Sequence, residues 1–542
     1  MAIEWSGLSP ELLVRLDRSS GQPLRSQLEA GLRDVIRSGR LHGGERLPSS
    51  RELARALGVS RGIVQECFSQ LLAEGYLTSR PGSATRVAEI AEGSVAPSPE
   101  AAPRSPLSGQ AAKPTLIADF APGLPDLSSF PRADWVWAVR EACGAVASAD
   151  LGYGDPRGSA VLREVLAGYL RRVRAAAADP GRMIVSTGFA QGLNLALRAL
   201  ASQAGLGAVA FEDPGYGSAA TDETVRAAAA AGLRVVYVPV DDEGVVVSAL
   251  AVSGADAVVV TPAHQSPTGV VLTAARRHAL ADWARRGGGF IIEDDYDSEF
   301  RYDKEPVGVL QGLAPDRVFL VGTASKALAP AVRLGWVLAP AELADAVAAE
   351  KEMSDRGSCT LDQVALAALL TSGRYDRHLR RMRGVYGARR QALVDAFGRH
   401  APGVRLTGLA AGFHAVAHLP AEPGEAAVIA AARERGVGLH GIAEYRGVPD
   451  PAAPPALVMG FGNTRERPHR ARHRRDRRPA PLNRPRSRTG RPRRPHASAR
   501  LSPHQRAPIS VSRCTPVTRR TRNAAMIAKD LILTKDNYRI SA

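Results

Sequence analysis

A short apolar run that ends in acidic residues, FIIEDDYDSEFRY at Phe290–Tyr302, constrains the fold of this chain more than any other stretch. Consecutive apolar residues without polar alternation are typical of a strand that is buried on both faces of a parallel sheet. Carboxylates at the carboxyl end of such a strand lie where α/β proteins bind ligands. Similar runs alternate with helical patterns from about Ala118 to Pro340. The pattern predicts an α/β domain with a parallel-rich sheet and helices on both faces.

A lysine follows another apolar run, in VGTASKALAPAVRLGW at Val321–Trp336. Lys326 comes after a turn of small and hydroxyl-bearing residues and seven positions before Arg333. A lysine held in a fold can form a Schiff base with an aldehyde, and an arginine fork can grip a phosphate. Pyridoxal 5'-phosphate carries both groups. An ordinary surface lysine is the alternative, and the neighbouring motifs decide between the two.

Three further motifs lie upstream of these two. Ala257–Gly269, AVVVTPAHQSPTG, is predicted as a strand that runs into a Pro/Gly turn. Ser186–Leu197, STGFAQGLNLAL, is a small-residue turn that opens a helix, whose free N–H groups and dipole suit a phosphate. Glu212–Tyr216, EDPGY, places an aromatic ring after the end of a strand.

In this order and spacing, the five motifs resemble those of fold-type I aminotransferases. EDDYDSEFRY together with HQxPTG resembles in particular the MocR-type branch of the GntR-family transcription regulators, over about Gly21–Asn463. The resemblance implies a homodimer that binds pyridoxal 5'-phosphate. The residues it implies are Lys326 as the Schiff-base lysine, Asp294 on the pyridine nitrogen, Tyr296 on the ring hydroxyl, Arg333 and Thr323 on the phosphate, Tyr216 stacked on the ring, the N–H groups of Phe189 and Ala190 facing the phosphate, and Tyr153 of YGDPRG reaching it from the partner subunit.

The chain departs from the resemblance at two places. Ser266 stands where the branch usually has Phe and aminotransferases have Asn, so a polar partner for the cofactor is kept and a packing ring is lost. Aminotransferases also carry an arginine near the last strand that grips the substrate carboxylate, whereas Ala456–Phe461 has none. Arg446 is close enough in sequence to be a candidate for that role.

The first 87 residues predict a winged helix. Apolar residues at helical spacing predict a helix over Pro23–Gly39, and Arg51–Leu57 and Arg61–Glu74 predict two helices joined at Gly58, with a two-stranded wing over Gly75–Val87. A helical pair without a role in DNA binding is the alternative, but PSSRELARALGVSR resembles the GntR winged helix. The resemblance implies double-stranded DNA as a partner, contacted by Arg51, Ser60, Arg61, Gly62, Gln65 and Gly82 at the wing tip. Members of the family commonly have Asn-Thr where this chain has Gly62 and Ile63.

Composition and patterning predict five segments in the chain of 542 residues. The Ala-, Pro- and Ser-rich stretch between the two domains has no periodicity to bury and predicts a linker. Helices are predicted at 344–349, 361–370 and 375–397. The segments are a DNA-binding domain at 1–87, a flexible linker at 88–115, a large cofactor domain at 116–340, a smaller C-terminal domain at 341–464, and a basic tail at 465–542.

The four cysteines are not spaced as a metal or redox pair, which favours a reduced cytoplasm and no metal site. The N-terminus lacks a basic region before an apolar core, and no apolar run approaches ~18 residues. A cytoplasmic protein that is neither exported nor membrane-spanning is therefore expected.

Basic charge is concentrated in the tail. The whole chain has a net charge of +17, but the tail alone has 23 Lys and Arg against 4 Asp and Glu, so the remainder is close to neutral at −2. One interpretation is a disordered arm that binds phosphates non-specifically. The other is a frameshift: moving the frame of the codons for His469–Arg478 by one nucleotide allows Ile-Glu-Arg-Gly-Ile-Ala-Ala-Ile-Ala, an amphipathic helix.

Two functions are compatible with these features. The leading hypothesis is a transcription regulator whose aminotransferase-like domain senses pyridoxal phosphate, or an amine or amino acid that reacts with it. The alternative is an aminotransferase with a DNA-binding appendage, since catalysis also requires Lys326, Asp294 and Arg333. The missing carboxylate arginine argues against the enzyme.

Overall fold

The structure of the protein is a computed structural model, which describes residues 14–80, 83–89, 116–218, 220, 222–302 and 307–464. By its internal contacts the chain divides into two compact units, Met1–Lys113 and Pro114–Ala542. The division falls within the segment predicted as a linker. Both interpretations of the tail concern residues outside the described ranges. Across those ranges, no helix combines the length and the apolar composition that crossing a bilayer requires.

Among its described residues, the first unit has three helices and a hairpin. They are α1 (Leu24–Arg37), α2 (Ser50–Ala56) and α3 (Arg61–Ala73), followed by β1 (Leu77–Thr78) and β2 (Arg86–Val87), which pair antiparallel. The predicted helices are confirmed to within about two residues at each end. Gly82, predicted at the tip of the wing, lies outside the described residues.

Local sequence explains where the two helices of the helix-turn-helix begin. At α2 the hydroxyl of Ser49 accepts a hydrogen bond from the N–H of Glu52, and the Glu52 carboxylate accepts one from the N–H of Ser49. The hydroxyl of Ser60 caps α3 in the same way, by accepting from the N–H of Ile63. Such caps satisfy N–H groups that the helix itself leaves free. Between the helices Gly58 adopts a φ of +62°, which favours glycine.

The second unit is an α/β fold with thirteen strands among the described residues, and its helices and strands alternate over most of the chain. The strands are β3 (Ala118–Asp119), β4 (Met183–Ser186), β5 (Ala208–Asp213), β6 (Arg234–Asp241), β7 (Gly244–Val245), β8 (Ala257–Val260), β9 (Phe290–Asp295), β10 (Val318–Thr323), β11 (Gly335–Leu338), β12 (Arg405–Thr407), β13 (His414–His418), β14 (Val437–Gly438) and β15 (Ala456–Gly460). The helices are α4 (Arg132–Ala145), α5 (Ala160–Arg174), α6 (Phe189–Gln203), α7 (Glu223–Ala230), α8 (Val247–Val252), α9 (Ala274–Gly287), α10 (Ala344–Asp355), α11 (Thr360–Thr371), α12 (Arg374–His400) and α13 (Glu425–Glu434). The three helices predicted beyond Pro340 are confirmed, and each is longer than predicted.

Eight strands form one sheet in the order β4-β11-β10-β9-β8-β5-β6-β7. The neighbours from β10 through β9, β8 and β5 to β6 pair in parallel, whereas β11 runs antiparallel to both β10 and β4. The prediction of a parallel-rich sheet is therefore confirmed. Because parallel strands end at the same edge, the polar residues that follow β8, β9 and β10 are brought together there.

Both faces of this sheet are covered by helices. Ile291 in β9 packs in the same cluster as Leu280 of α9, and the next residue, Ile292, packs in the cluster of Leu193 of α6. Neither isoleucine has exposed surface. Burial of such a side chain is worth about 1.5–3 kcal/mol, which explains the unbroken apolar run in the sequence.

A second sheet, β12-β13-β15, is antiparallel and lies beyond the last long helix. The segment before and into its middle strand, residues 408–414, packs on the residues that follow β9. The N–H of Gly412 donates to the carbonyl of Phe300 at 2.8 Å, and the N–H of Tyr302 donates to the carbonyl of Ala410 at 3.2 Å. The loop 408–414 is therefore hydrogen-bonded to the acidic stretch Phe290–Tyr302, from which the fold was first predicted.

Candidate functional site

A cavity of about 300 Å³ lies at the carboxyl edge of the large sheet. Nine of the ten residues predicted to bind the cofactor line it, together with three that were not predicted. The lining residues are Gly123, Phe189, Ala190, Tyr216, Ser266, Asp294, Tyr296, Thr323, Ser325, Lys326, Pro330 and Arg333.

Lys326 is half-buried, and its Nζ donates a hydrogen bond to the carbonyl of Gly123 at 2.6 Å. Burial lowers the pKa of this amine, while the negative charges of Asp294 and Asp297 oppose the shift. A lowered pKa increases the fraction of the neutral amine, which is the form that attacks an aldehyde. The environment therefore favours a nucleophilic lysine.

Asp294 is one of the least satisfied polar groups in the cavity. Its Oδ2 accepts a hydrogen bond from the hydroxyl of Tyr216 at 2.5 Å, but its buried Oδ1 has no partner among the described residues. Burial raises the pKa of this carboxyl to about 8, against the opposing effects of Tyr216 and Lys326. A protonated ring nitrogen beside Oδ1 would satisfy that oxygen and favour the ionised carboxylate, so the site fits a pyridinium.

The part of the cavity next to Arg333 and the start of α6 suits an anion. The helix α6 begins after Gly188, whose φ of +117° favours glycine, and Phe189 and Ala190 are its first residues. A Cβ built on Gly188 would lie 3.6 Å from a nitrogen of the Arg333 guanidinium, so the arginine lies in van der Waals contact with the helix start. A phosphate here meets free N–H groups and a guanidinium.

Arg333 itself has a left-handed backbone, with a φ of +52°. Non-glycine residues rarely adopt this conformation, and it costs about 1 kcal/mol or more. The hydroxyl of Thr323 lies nearby in the cavity wall, donates to that of Ser325 at 2.9 Å and accepts from the N–H of Ser325 at 3.1 Å. This end of the cavity therefore contains hydroxyls and the guanidinium of Arg333, whose backbone is strained.

Two of the three predicted tyrosines, Tyr216 and Tyr153, are placed differently from each other. The ring of Tyr216 stacks on Phe189, with centroids 5.8 Å apart and planes inclined by 11°. Tyr153 does not line the cavity of its own chain: it is 79% exposed, and the guanidinium of Arg356 lies over its ring at 5.1 Å. Its predicted contribution from the partner subunit stays a prediction.

Gly123, Ser325 and Pro330 line the cavity although the sequence did not single them out as site residues. Gly123 lies about 200 positions from Lys326 and outside every motif, so no local signal could have found it. Arg446, the candidate for a carboxylate anchor, is half-buried and does not line the cavity. Its neighbour Tyr445 accepts a hydrogen bond from the N–H of Gly215 at 2.8 Å, next to the cavity residue Tyr216.

The candidate DNA-binding residues lie at the exposed start of α3 and on α2. Arg51, Ser60, Arg61, Gly62 and Gln65 are all exposed. A Cβ placed on Gly62 would lie 3.9 Å from the hydroxyl of Ser60, so the first atom of a side chain would fit here. Side chains in this position of a helix-turn-helix reach base edges and phosphates.

Comparisons with known proteins cover both units. The family model for aminotransferase class I and II matches residues 127–446, and the model for bacterial regulatory proteins of the gntR family matches residues 24–87. Among solved structures, the multiple substrate aminotransferase of Thermococcus profundus has a TM-score of 0.58 at 24% identity, covering 65% of this chain and 88% of that chain. The kynurenine aminotransferase of Pyrococcus horikoshii has a TM-score of 0.57 at 24% identity, covering 65% and 87%. These likenesses show that the second unit has the fold-type I aminotransferase fold.

Two regulators match both units at once. The HTH-type pyridoxine biosynthesis transcriptional regulator PdxR of Corynebacterium glutamicum is 33% identical over 459 residues, which cover 84% of this chain and 95% of PdxR. The probable rhizopine catabolism regulatory protein MocR of Rhizobium meliloti is 32% identical over 400 residues, which cover 72% of this chain and 80% of MocR. With a GntR winged helix and an aminotransferase-fold domain in one chain, the protein belongs to the MocR-type branch of the GntR family and is a DNA-binding regulator of transcription.

Proposed function

We propose that this regulator binds pyridoxal 5'-phosphate in the cavity around Lys326 and alters its DNA binding in response to the cofactor or to an amino compound that reacts with it. The observation that carries the proposal is the convergence of three features in one cavity. These are the amine of Lys326, the carboxyl of Asp294 with its unpartnered Oδ1, and the anion-binding end formed by Arg333 and the start of α6.

The roles proposed for the residues of the cavity wall follow from their surroundings, and that of Tyr153 rests on the resemblance alone. Lys326 holds the aldehyde end, Asp294 holds the pyridine nitrogen, and the Tyr296 hydroxyl contacts the ring hydroxyl. Arg333, Thr323 and the N–H groups of Phe189 and Ala190 hold the phosphate, with Ser266 as a further polar contact. Tyr216 packs on the ring, and Tyr153 reaches the phosphate from the second subunit of a homodimer. When bound, the cofactor supplies an aldehyde that reacts reversibly with primary amines and a ring that withdraws electrons.

The class of effector follows from the charges of the cavity wall. Its two cationic residues, Lys326 and Arg333, are both assigned to the cofactor. Among the described residues of β15 no arginine is present to grip a carboxylate, and Arg446 lies outside the wall. This arrangement favours pyridoxal phosphate itself, or a small amine, over an α-amino acid held through its carboxylate.

A ligand changes DNA binding only if its affinity differs between the states that bind and release DNA. The test is a titration of the gene's own upstream DNA with the protein loaded with pyridoxal phosphate and freed of it. Allosteric coupling of about 1–3 kcal/mol predicts a difference of about 5-fold or more in Kd between the two forms. Loss of this difference in Lys326→Ala supports the proposal, whereas equal affinities of the two wild-type forms would contradict it.

A matched control is available in Lys351. Its side chain is fully buried, but its Nζ donates to Gln191 at 2.9 Å and Asp355 at 2.8 Å instead of facing the cavity. Lys351→Gln therefore removes a buried lysine without removing the one assigned to the cofactor. This variant is expected to keep both cofactor binding and the dependence of the DNA affinity on the cofactor.

An aminotransferase is the second candidate, because the same cavity residues serve that reaction. Turnover of an amino donor with a keto acid by the loaded protein, at a steady rate and abolished in Lys326→Ala, would establish it. The absence of a carboxylate-binding arginine from the described cavity wall favours the regulator that uses the cavity as a sensor.

A further inference from the structure

Three buried titratable side chains meet behind Tyr296, outside the cavity wall. His264 follows β8, Asp297 follows β9, and His414 begins β13. One ligand atom from each lies within 4.8 Å of the others, and the two imidazole rings have centroids 4.6 Å apart. The large sheet and the three-stranded sheet both contribute to this group, which the cofactor assignment does not use.

The contacts of His264 link this group of side chains to Tyr296. Its Nδ1 lies 2.9 Å from Oδ2 of Asp297, and its Nε2 lies 3.3 Å from the carbonyl of Gly408. The hydroxyl of Tyr296 lies 3.0 Å from the carbonyl of His264 and 3.2 Å from the same Nδ1. The Nδ1 of His264 thus lies against both the Asp297 carboxylate and the Tyr296 hydroxyl, whose own hydrogen is donated to the His264 carbonyl.

We propose that the His264–Asp297 pair positions the Tyr296 hydroxyl and sets the charge felt by the ring oxygen of the bound cofactor. The inference rests on the proposed function, since it concerns the same cavity. The pair consists of positioning residues that act through Tyr296 and do not touch the cofactor. Removing either partner therefore shifts the ionisation of the bound cofactor without removing a residue that binds it.

The shape of the cluster supports a fixed pair. A Cβ placed on Gly412 would collide with Oδ2 of Asp297 and lie 2.5 Å from Cε1 of His264, so the loop 408–414 can cover the pair only with glycine at this position. His414 lies beside the pair, and its Nε2 donates to the carbonyl of Pro267 at 3.2 Å. Packing from both sheets therefore holds the two side chains in contact.

Other charged groups lie near Tyr296 and also contribute to the charge at the ring oxygen of the bound cofactor. Asp294 and Lys326 lie in the cavity wall, and Glu212 also acts on Tyr296 through its charge. Burial, followed by the charge of His264, lowers the pKa of His414 well below its usual value, so this imidazole is neutral. The Asp297 carboxylate and the His264 imidazole, 2.9 Å apart, are the pair in this cluster that lies against the Tyr296 hydroxyl.

The experiment follows the visible absorption of the loaded protein with pH. A negative charge near the cofactor favours its protonated form, so Asp297→Asn lowers the pH midpoint of the absorption change. His264→Gln leaves the Asp297 carboxylate without its partner and raises the midpoint. A buried charge within ~4–6 Å shifts a pKa by about one unit or more, which sets the expected size of both shifts.

Shifts in opposite directions are the decisive result, because general damage to the fold does not produce them. Equal midpoints in the wild type and both variants, or shifts in the same direction, would overturn the inference. His418→Gln is the matched control, since His418 lies in β13 and bonds Thr407 at 2.9 Å away from the cavity. It is expected to keep the wild-type midpoint.

Two further measurements separate this inference from its alternatives. If the wild type takes up no pyridoxal phosphate, the proposed function fails. If it takes up the cofactor but the variants titrate alike, only the present inference fails.

Two imidazoles and a carboxylate are also the ligand types that bind zinc, so the purified wild type is analysed for metal. One zinc per chain, lost in His414→Asn, would overturn the inference in favour of a metal site. Should Asp297→Asn and His264→Gln not fold, His264→Asn, which keeps a donor near the position of Nδ1 but removes the imidazole, is expected to raise the midpoint, and an unchanged midpoint would overturn the inference.

Discussion

The hydroxyl of Tyr216 donates a hydrogen bond to Oδ2 of Asp294 at 2.5 Å, across the floor of the cavity. The bond joins the loop after β5 to the end of β9 and leaves Oδ1 of Asp294 facing inward without a partner among the described residues. The tyrosine that was predicted only to stack on the cofactor ring therefore also holds the carboxylate that would meet the ring nitrogen. The consequences can be measured in the cofactor-free protein.

Asp294 should make the stability of the cofactor-free protein depend on pH. Burial raises its pKa to about 8, well above the value of about 3.9 for an unfolded aspartate. Between these two values the folded state binds more protons than the unfolded state, so the free energy of unfolding falls as pH rises from about 4 to 8.

Asp294→Asn removes this contribution, so its stability should fall less steeply with pH than that of the wild type. Urea unfolding at several pH values between 5 and 8 measures the difference. Glu212, Glu293 and Glu299 also have pKa values raised by burial to about 7, and they act equally in both proteins. Parallel stability curves for the two proteins would contradict the assignment.

Arg333 should matter to the cofactor more than to the fold. Loss of a charge-assisted hydrogen bond costs about 1.5–3 kcal/mol, so Arg333→Met should weaken binding of pyridoxal phosphate by roughly 10- to 100-fold. Arg333→Gly loses the same contact but relieves the left-handed backbone, and its cofactor-free form should be as stable as the wild type. Equilibrium titration and thermal unfolding measure the two effects. Arg380→Met, an exposed arginine on α12, is the control and should bind the cofactor normally.

Arg61 should contribute directly to DNA binding. It is exposed at the start of α3, and its Nε donates to the hydroxyl of Ser50, at the start of α2, at 3.4 Å. If it reads a guanine, Arg61→Ala should cost about 1–3 kcal/mol of binding free energy at the operator. Arg40→Ala is the control, because that guanidinium pairs with Asp34 at 3.1 Å at the far end of α1. Operator affinity unchanged by Arg61→Ala would place the contact elsewhere.

The basic tail separates into two testable interpretations. A chain that ends at Asn463 should fold equally well but bind DNA more weakly and with less salt dependence if residues 465–542 form a phosphate-binding arm. If those residues are out of frame, resequencing between the codons for Asn463 and Arg478 should show the shift. The protein made from the restored reading frame should then be more soluble. It would bury a helix face with several aliphatic side chains, and each buried side chain contributes about 1.5–3 kcal/mol.

The residues that could be predicted from the sequence share one property: each carries its own local signal. Asp294 and Tyr296 follow an unbroken apolar run, Lys326 and Arg333 follow another, and Phe189 opens a helix after a small-residue turn. Strand ends of a parallel sheet meet at one edge whatever the rest of the chain does, so these local signals were enough to predict a common site. The caps at Ser49 and Ser60 fixed the helix starts of the DNA-binding unit for the same reason.

Contacts between distant segments were decided only by the tertiary structure. The carbonyl of Gly123 receives the amine of Lys326, and the loop 408–414 closes over His264 and Asp297, although no spacing in the sequence relates these segments. Whether a histidine is an isolated core residue or the partner of a buried carboxylate depends on which segment packs against it. The sequence by itself determined which chemical groups lie at the edge of the large sheet. The packing of the second sheet decided which charged side chains at that edge are paired, because pairing needs side chains from separate elements to be desolvated together.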